Sequence, residues 1–290
     1  TTLSPPPPSE LTAITVDTTS IDLAWTDNTG AETGFSIERC SGSGCSTFAE
    51  IATVGADVTS YTDSSAVHST SYTYQVKAIN SSVPWISAAS NTATDTTLTP
   101  GVPSGFTATR VSEVRIDLAW TDNSVDETDF RIERGAGDCT GFAEIATAAA
   151  DETAYSDTGL PVATSFCYRA IAYKSAANEW YTAYTATSTA TTSIAAPDGF
   201  TATAADTTTA DLAWTDNTAS ETGFEIERCT GAGCSDFALL ATTAADATSY
   251  SDTTGVHSTV SNYRHLADNA GVPWNSGYSS TPTATTQTPA

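Results

Sequence analysis

The sequence predicts an all-β chain of three tandem antiparallel β-sandwiches, each of about seven strands. Three observations carry this. First, one stretch is written three times, as Ile21-Asp22-Leu23-Ala24-Trp25-Thr26-Asp27-Asn28, as Ile116 to Asn123 and as Ala210 to Asn217, with the tryptophans 95 and 94 positions apart. A fixed period of that size marks an array of like units. Second, Leu23 and Trp25 alternate with Asp22 and Ala24, the period of a half-buried strand whose inner face carries the largest core residue. Third, short alternating runs are separated by turn residues every 8–12 positions, and no segment has helical periodicity.

Taken in order, unit one opens on Pro5-Pro6-Pro7-Pro8, a stiff spacer. Strands are expected at Leu11–Val16, around Trp25, at Phe35–Arg39, at Phe48–Val54, around Tyr61, at Tyr72–Ala78 and over the Thr/Ser-rich run from Ser90 to Thr97. The repeat divides the chain into residues 1–97, 98–192 and 193–290, each near the ~100 residues of a sandwich.

Composition narrows the partners. The formal net charge is −24, with two lysines, Lys77 and Lys174. Such a chain repels nucleic acid and anionic membrane surfaces, so neither is expected as a partner. No stretch reaches the ~20 apolar residues of a membrane span, and membrane insertion is not expected. With neither an initiating Met nor a signal peptide, the sequence reads as a mature or excised piece.

Six cysteines point to one pair per unit. Cys40 and Cys45 bracket Ser-Gly-Ser-Gly, and Cys229 and Cys234 bracket Thr-Gly-Ala-Gly at the same place. Gly135 replaces the first of the pair in unit two, which keeps Cys139 and adds Cys167. Zinc is the competing use, but two thiolates without a nearby histidine make a poor site. Disulfides imply an oxidising, extracytoplasmic location.

The order Leu-x-Trp, Phe-x-Ile-Glu-Arg, Ser-Tyr-x-Asp, Tyr-x-Tyr-x-Val and Ser-Asn-Thr-Ala-Thr resembles fibronectin type III domains, particularly those of secreted and surface proteins of bacteria and archaea. The resemblance covers nearly the whole chain. It implies immunoglobulin-like sandwiches in which the strands flanking Cys139 and Cys167 are antiparallel neighbours, so that these two pair. It also places the family's corner tyrosine at Tyr72; Phe166 and Ser261 stand at the matching positions and cannot supply its hydrogen bond. Unit three carries His265 where unit one has Val76, and is expected to be the least stable.

Four groups of residues are candidate sites. Asp27, Asn28 and Glu32 recur as Asp122, Asn123 and Glu127 and as Asp216, Asn217 and Glu221. Oxygen ligands so spaced are weak candidates for Ca²⁺, against a turn whose side chains bond their own backbone; no other cofactor is expected. Trp85, Trp180 and Trp274 sit on the loop before the last strand, which commonly bears binding determinants in the resembled family; they either anchor a partner or cover their own or a neighbouring domain. His68 and His257 match across units one and three, but neither has the base, nucleophile and orienting group that catalysis needs. Asn80-Ser81-Ser82 is the one N-glycosylation sequon.

No enzyme is expected. The reading is an extracellular or cell-surface structural or adhesive array, part of a filament, appendage or long stalk, associating head to tail with itself or with other surface proteins. The alternative is a set of carbohydrate-binding or spacer modules of a secreted polysaccharide-degrading enzyme. The opening Thr1-Thr2 resembles the end of a preceding last strand, and Pro289-Ala290 the start of a linker, so a slice of a longer repetitive polymer is a further expectation.

Overall fold

The computed structural model describes residues 5–175, 178–271 and 275–290. Unit one contains β1 (Ser9–Thr15), β2 (Ile21–Thr26), β3 (Gly34–Ser41), β4 (Ala49–Gly55), β5 (Ser60–Asp63), β6 (Ser71–Asn80), β7 (Trp85–Ile86) and β8 (Ala93–Thr96). One sheet is ordered β1-β2-β5; the other is β4-β3-β6, with β7 and β8 both pairing β6. All pairings are antiparallel. Units two and three repeat the arrangement, except that the described residues of unit three hold no counterpart of β7; Asp129–Ala136 and Gly223–Thr230 match β3, and Ser165–Lys174 and Val260–Asp268 match β6. Among the described residues no strand is joined to its partner by a helix, as an antiparallel sandwich allows.

Alternation explains the cores. In β2 the inward residues Ile21, Leu23 and Trp25 are buried while Asp22 and Ala24 are exposed. They meet Phe35, Ile37, Tyr74 and Val76 of the other sheet to make one apolar cluster. Matching clusters form around Trp120 with Phe130 and Tyr168, and around Trp214 with Phe224 and Tyr263.

The run expected as one last strand, from Ser90 to Thr97, is shorter, and β7 precedes it. Between β7 and β8, the backbone N–H of Ser87 and of Ser90 still donates to β6, while side-chain hydroxyls supply the ladder's missing acceptors. Ser87 Oγ accepts from Ala78 N and Ser90 Oγ accepts from Val76 N, at 2.9 and 3.1 Å. Thr182 and Thr185 do the same in unit two, and Ser276 and Ser279 in unit three. A hydroxyl can stand in for a carbonyl because a buried N–H needs an acceptor, not a particular one.

A charged group lies inside each sandwich. Arg39 Nη1 and Tyr74 OH both donate to Asp63 Oδ2, at 2.6 and 2.8 Å, and Asp63 is fully buried. Burial alone would raise its pKa, but hydrogen bonds from Ser65, Tyr74 and Arg39 outweigh this and hold the carboxyl below its usual range. Arg134, Tyr168 and Asp157, then Arg228, Tyr263 and Asp252, repeat the group.

Candidate functional site

The disulfides join Cys40 to Cys45, Cys139 to Cys167 and Cys229 to Cys234, with Cα separations of 5.9, 5.1 and 5.9 Å. Across the ladder Cys40 faces Thr73, while Gly135 faces Cys167. Unit two has therefore moved one sulfur to the neighbouring strand. A Cβ added at Gly135 would meet Thr140 O at 2.6 Å, so that position has no room for a side chain. The 28-residue separation of Cys139 and Cys167 makes theirs the larger closed loop, stabilising by about 3–4 kcal/mol in the chain-entropy model.

Tyr72 OH accepts from Val67 N at 2.9 Å, closing the corner in unit one. His68 is half-buried, with Nδ1 3.2 Å from Ser69 Oγ, and His257 is exposed. His265 is fully buried and packs against Phe200, Trp214 and Phe224, with ring centroids 4.0, 4.8 and 6.0 Å away. Burial pushes its pKa down to about 4. The side-chain nitrogen of Asn80, the sequon residue, donates to Ala31 O, and its Oδ1 accepts from Ser82 N and Val83 N.

The acidic loops form turns and something more. Asp27 Oδ1 accepts from Thr29 N at 2.9 Å, as Asp122 does from Ser124 N and Asp216 from Thr218 N. The asparagines reach away from the turn to the segment that enters the unit: Asn28 donates to Pro7 O, Asn123 to Val102 O and Asn217 to Ala196 O. Each glutamate is buried, and each accepts the backbone N–H of a third acid on the turn matching β4–β5: Glu32 from Asp57, Glu127 from Asp151, Glu221 from Asp246.

The loop tryptophans divide. Trp85 is half-buried and borders a shallow groove with Ile79, Pro84 and Ile86. Trp180 is 2% exposed, and its Nε1 donates to Thr18 Oγ1 of unit one at 2.8 Å. Trp274 lies outside the described residues.

Around Trp180 the first two units meet through a network that sequence reasoning missed. Thr18 Oγ1 in turn donates a hydrogen bond to Asp126 Oδ2 at 2.6 Å. Lys174 Nζ lies 2.6 Å from the same oxygen and donates to Thr19 Oγ1 at 2.7 Å. Asn178 Nδ2 donates to Ala66 O at 2.9 Å. Thr18 and Thr19 are 1% and 5% exposed, so the turn after β1 is sealed by the next unit. The turn at the same place in unit two presents Glu113, which accepts from Ala195 N and Ser220 Oγ of the third segment at 2.8 and 2.7 Å.

Residues 6–91 match the family model of the fibronectin type III domain. Among solved structures, the chain is similar to the FN1–FN3 domains of chicken CNTN1, at 12% identity and a TM-score of 0.31, covering 97% of this chain and 100% of that one. It is also similar to a two-domain fibronectin type III segment of chicken tenascin, at 16% identity and a TM-score of 0.33, covering 64% and 100%. No curated protein matches the sequence. Such domains are generally extracellular structural or adhesive modules, typically without catalytic activity, and disulfides accord with a secreted location. Residues 6–91 thus match a fibronectin type III domain, and the antiparallel pairing and buried Arg-Asp-Tyr group of that unit recur in units two and three, so the chain is a tandem array of like β-sandwiches.

Proposed function

We propose that the array is an extracellular structural element, part of a surface filament, appendage or long stalk, whose successive units are held at a set angle rather than strung on free linkers. The observation that supports this is the joint at Trp180. An indole, a lysine and a carboxylate from one unit converge on two threonine hydroxyls of the unit before it. Directional bonds at a buried joint fix orientation, where an apolar patch alone would allow sliding. Unit three repeats the threonine turn of unit one: Asp206 Oδ1 accepts from Thr208 N and Thr209 N, both at 2.7 Å, and Thr208 is exposed. A further unit, of this or another surface chain, docks there, and repetition of such a contact without closure builds a filament. The reading as a polysaccharide-binding accessory depends on the loop tryptophans as platforms, and Trp180 is committed to the joint.

Small-angle scattering of the purified chain, paired with negative-stain imaging of native material, tests this. A single extended shape at all concentrations, with fibres in the native sample, is the expected result. A broad distribution of inter-unit angles, or retention on insoluble polysaccharide that Trp85→Ala abolishes, overturns it.

A further inference from the structure

Each unit gathers three carboxylates at one end of its sandwich. One oxygen from each of Asp27, Glu32 and Asp57 lies within 4.8 Å of the other two, and Asp122, Glu127 and Asp151, then Asp216, Glu221 and Asp246, do likewise. The glutamates are the informative members. Glu32, Glu127 and Glu221 are 7%, 6% and 8% exposed, and in each the Oε2 is sealed from solvent with no protein donor among the described residues. Asp122 lies within hydrogen-bond reach of Glu127, and Asp216 of Glu221, so the buried carboxyl is turned into the cluster.

No lysine or arginine among the described residues pairs with any of these nine acids; every ion pair is made elsewhere. A buried carboxylate oxygen without a donor is costly, and two like charges beside it make it costlier. Either a proton or a cation must relieve the site. The donor set is oxygen only, with neither histidine nor cysteine, which selects a hard cation and suits the loose, high-coordination shell of Ca²⁺ better than the strict octahedron of Mg²⁺.

We propose that each of the three clusters binds one Ca²⁺ ion. The ion joins the β2–β3 loop to the β4–β5 turn. Both are crossings between the two sheets, so the ion clamps the sandwich at that end. In units two and three the loop residue next to the glutamate, Asp126 or Ser220, reaches the preceding unit. Calcium therefore also stiffens the joints, and this consequence alone rests on the reading proposed above.

The test is calorimetric titration of the chelator-stripped chain with CaCl2, together with melting curves in CaCl2 and in MgCl2. Three ions per chain are expected, with dissociation constants on the order of 10⁻⁴–10⁻³ M, the range of extracellular modules. The melting temperature should rise by about 5 °C in saturating CaCl2 and less in MgCl2. The triple variant D57N/D151N/D246N should lose both effects and still fold: these residues have φ of 60°, 62° and 60°, a conformation that Asn tolerates. The triple variant E32Q/E127Q/E221Q should behave alike where it folds. A chain with no heat of binding and no shift with CaCl2, but a melting temperature that rises on acidification, holds a shared proton instead and overturns the proposal. Binding that persists in the triple-asparagine variant overturns it as well. Calcium binding with unchanged scattering would leave the ion site standing and count against the joint reading only.

Discussion

The two joints use the same places in the fold and different chemistry. At the first, a hydroxyl turn from unit one enters a pocket made by Trp180, Lys174 and Asp126. At the second, the turn supplies a carboxylate, Glu113, and the next unit supplies an N–H and a serine. Lys174 is replaced in unit three by Asn269, which turns inward to Ser220 O instead of across the joint. The second joint also leaves a cleft of about 280 Å³ beside Ile194 and Asn275. Among the described residues the first joint encloses an aromatic and an ion pair, while the second is held by the Glu113 carboxylate and by Arg110, which donates to Ser193 O, so the first should be the stiffer. Units one and three share the threonine turn and unit two does not, so the two joints should differ in stiffness.

The largest effect should come from Trp180→Ala. Truncating a fully buried tryptophan costs about 3–5 kcal/mol, and here it also leaves Thr18 without its donor. Trp85→Ala should cost clearly less, since that ring is half open. Denaturant unfolding of both variants checks this. Equal losses would mean that enclosure by unit one contributes nothing and that the contrast between joints is false.

Acid sharpens the comparison by removing one partner. His265, with its pKa at about 4 in the fold, stays neutral while the unfolded chain protonates near the ordinary value of 6.5. The unfolded state then binds more protons, so stability falls as pH drops from about 6.5 to 4, by about 3 kcal/mol in total. Unit three should melt first on acidification and erase the second joint while the first persists. Calorimetry across that window checks it; His265→Val should flatten the response, and a chain whose three units fail together would contradict the assignment.

Much of this was legible in the sequence for a physical reason: strand alternation is local. Leu23 and Trp25 declare their face two residues apart, and His265 at an inward position reads directly from the alternation in its strand. Of the first joint only Trp180 is legible, as a ring that anchors a partner or covers its own or a neighbouring domain; the residues it meets are not. Thr18 and Asp126 are 108 residues apart, and Thr18 and Trp180 are 162 apart. Each of them alone is an ordinary turn, loop or strand residue. The buried Asp63 lay between the two cases. Its Tyr-x-Asp motif and the Arg of Phe-x-Ile-Glu-Arg recur in all three units, and a repeated Arg with a repeated Asp on strands of opposite sheets is a signal that periodicity alone does not capture. The break between β7 and β8 is not legible because a serine whose hydroxyl stands in for a carbonyl of the ladder looks the same in sequence as any other strand serine.

The smallest expected effect tests the second joint itself. Burial raises the pKa of Glu113, but hydrogen bonds from Thr218, Ala195 N, Ser220 and Ala219 N more than offset this, and its carboxyl is held below the usual range. The undocked state therefore binds protons more readily. The carboxylate's contribution is complete above about pH 4.5, the ordinary value, and is lost as pH falls through the lowered one. Glu113→Gln keeps one acceptor oxygen and turns an amide N–H₂ toward donors, so the bonding at one of its two carboxylate oxygens is lost. The cost should be about 1 kcal/mol, a factor of about five in the docked fraction. Distances between spin labels placed across each joint read this out. In the variant, the second joint's distribution should broaden and lose its dependence on acid, while the first joint's should stay narrow. Broadening of both together would show that the two joints act as one cooperative unit, and the contrast in stiffness between them would then have to be abandoned.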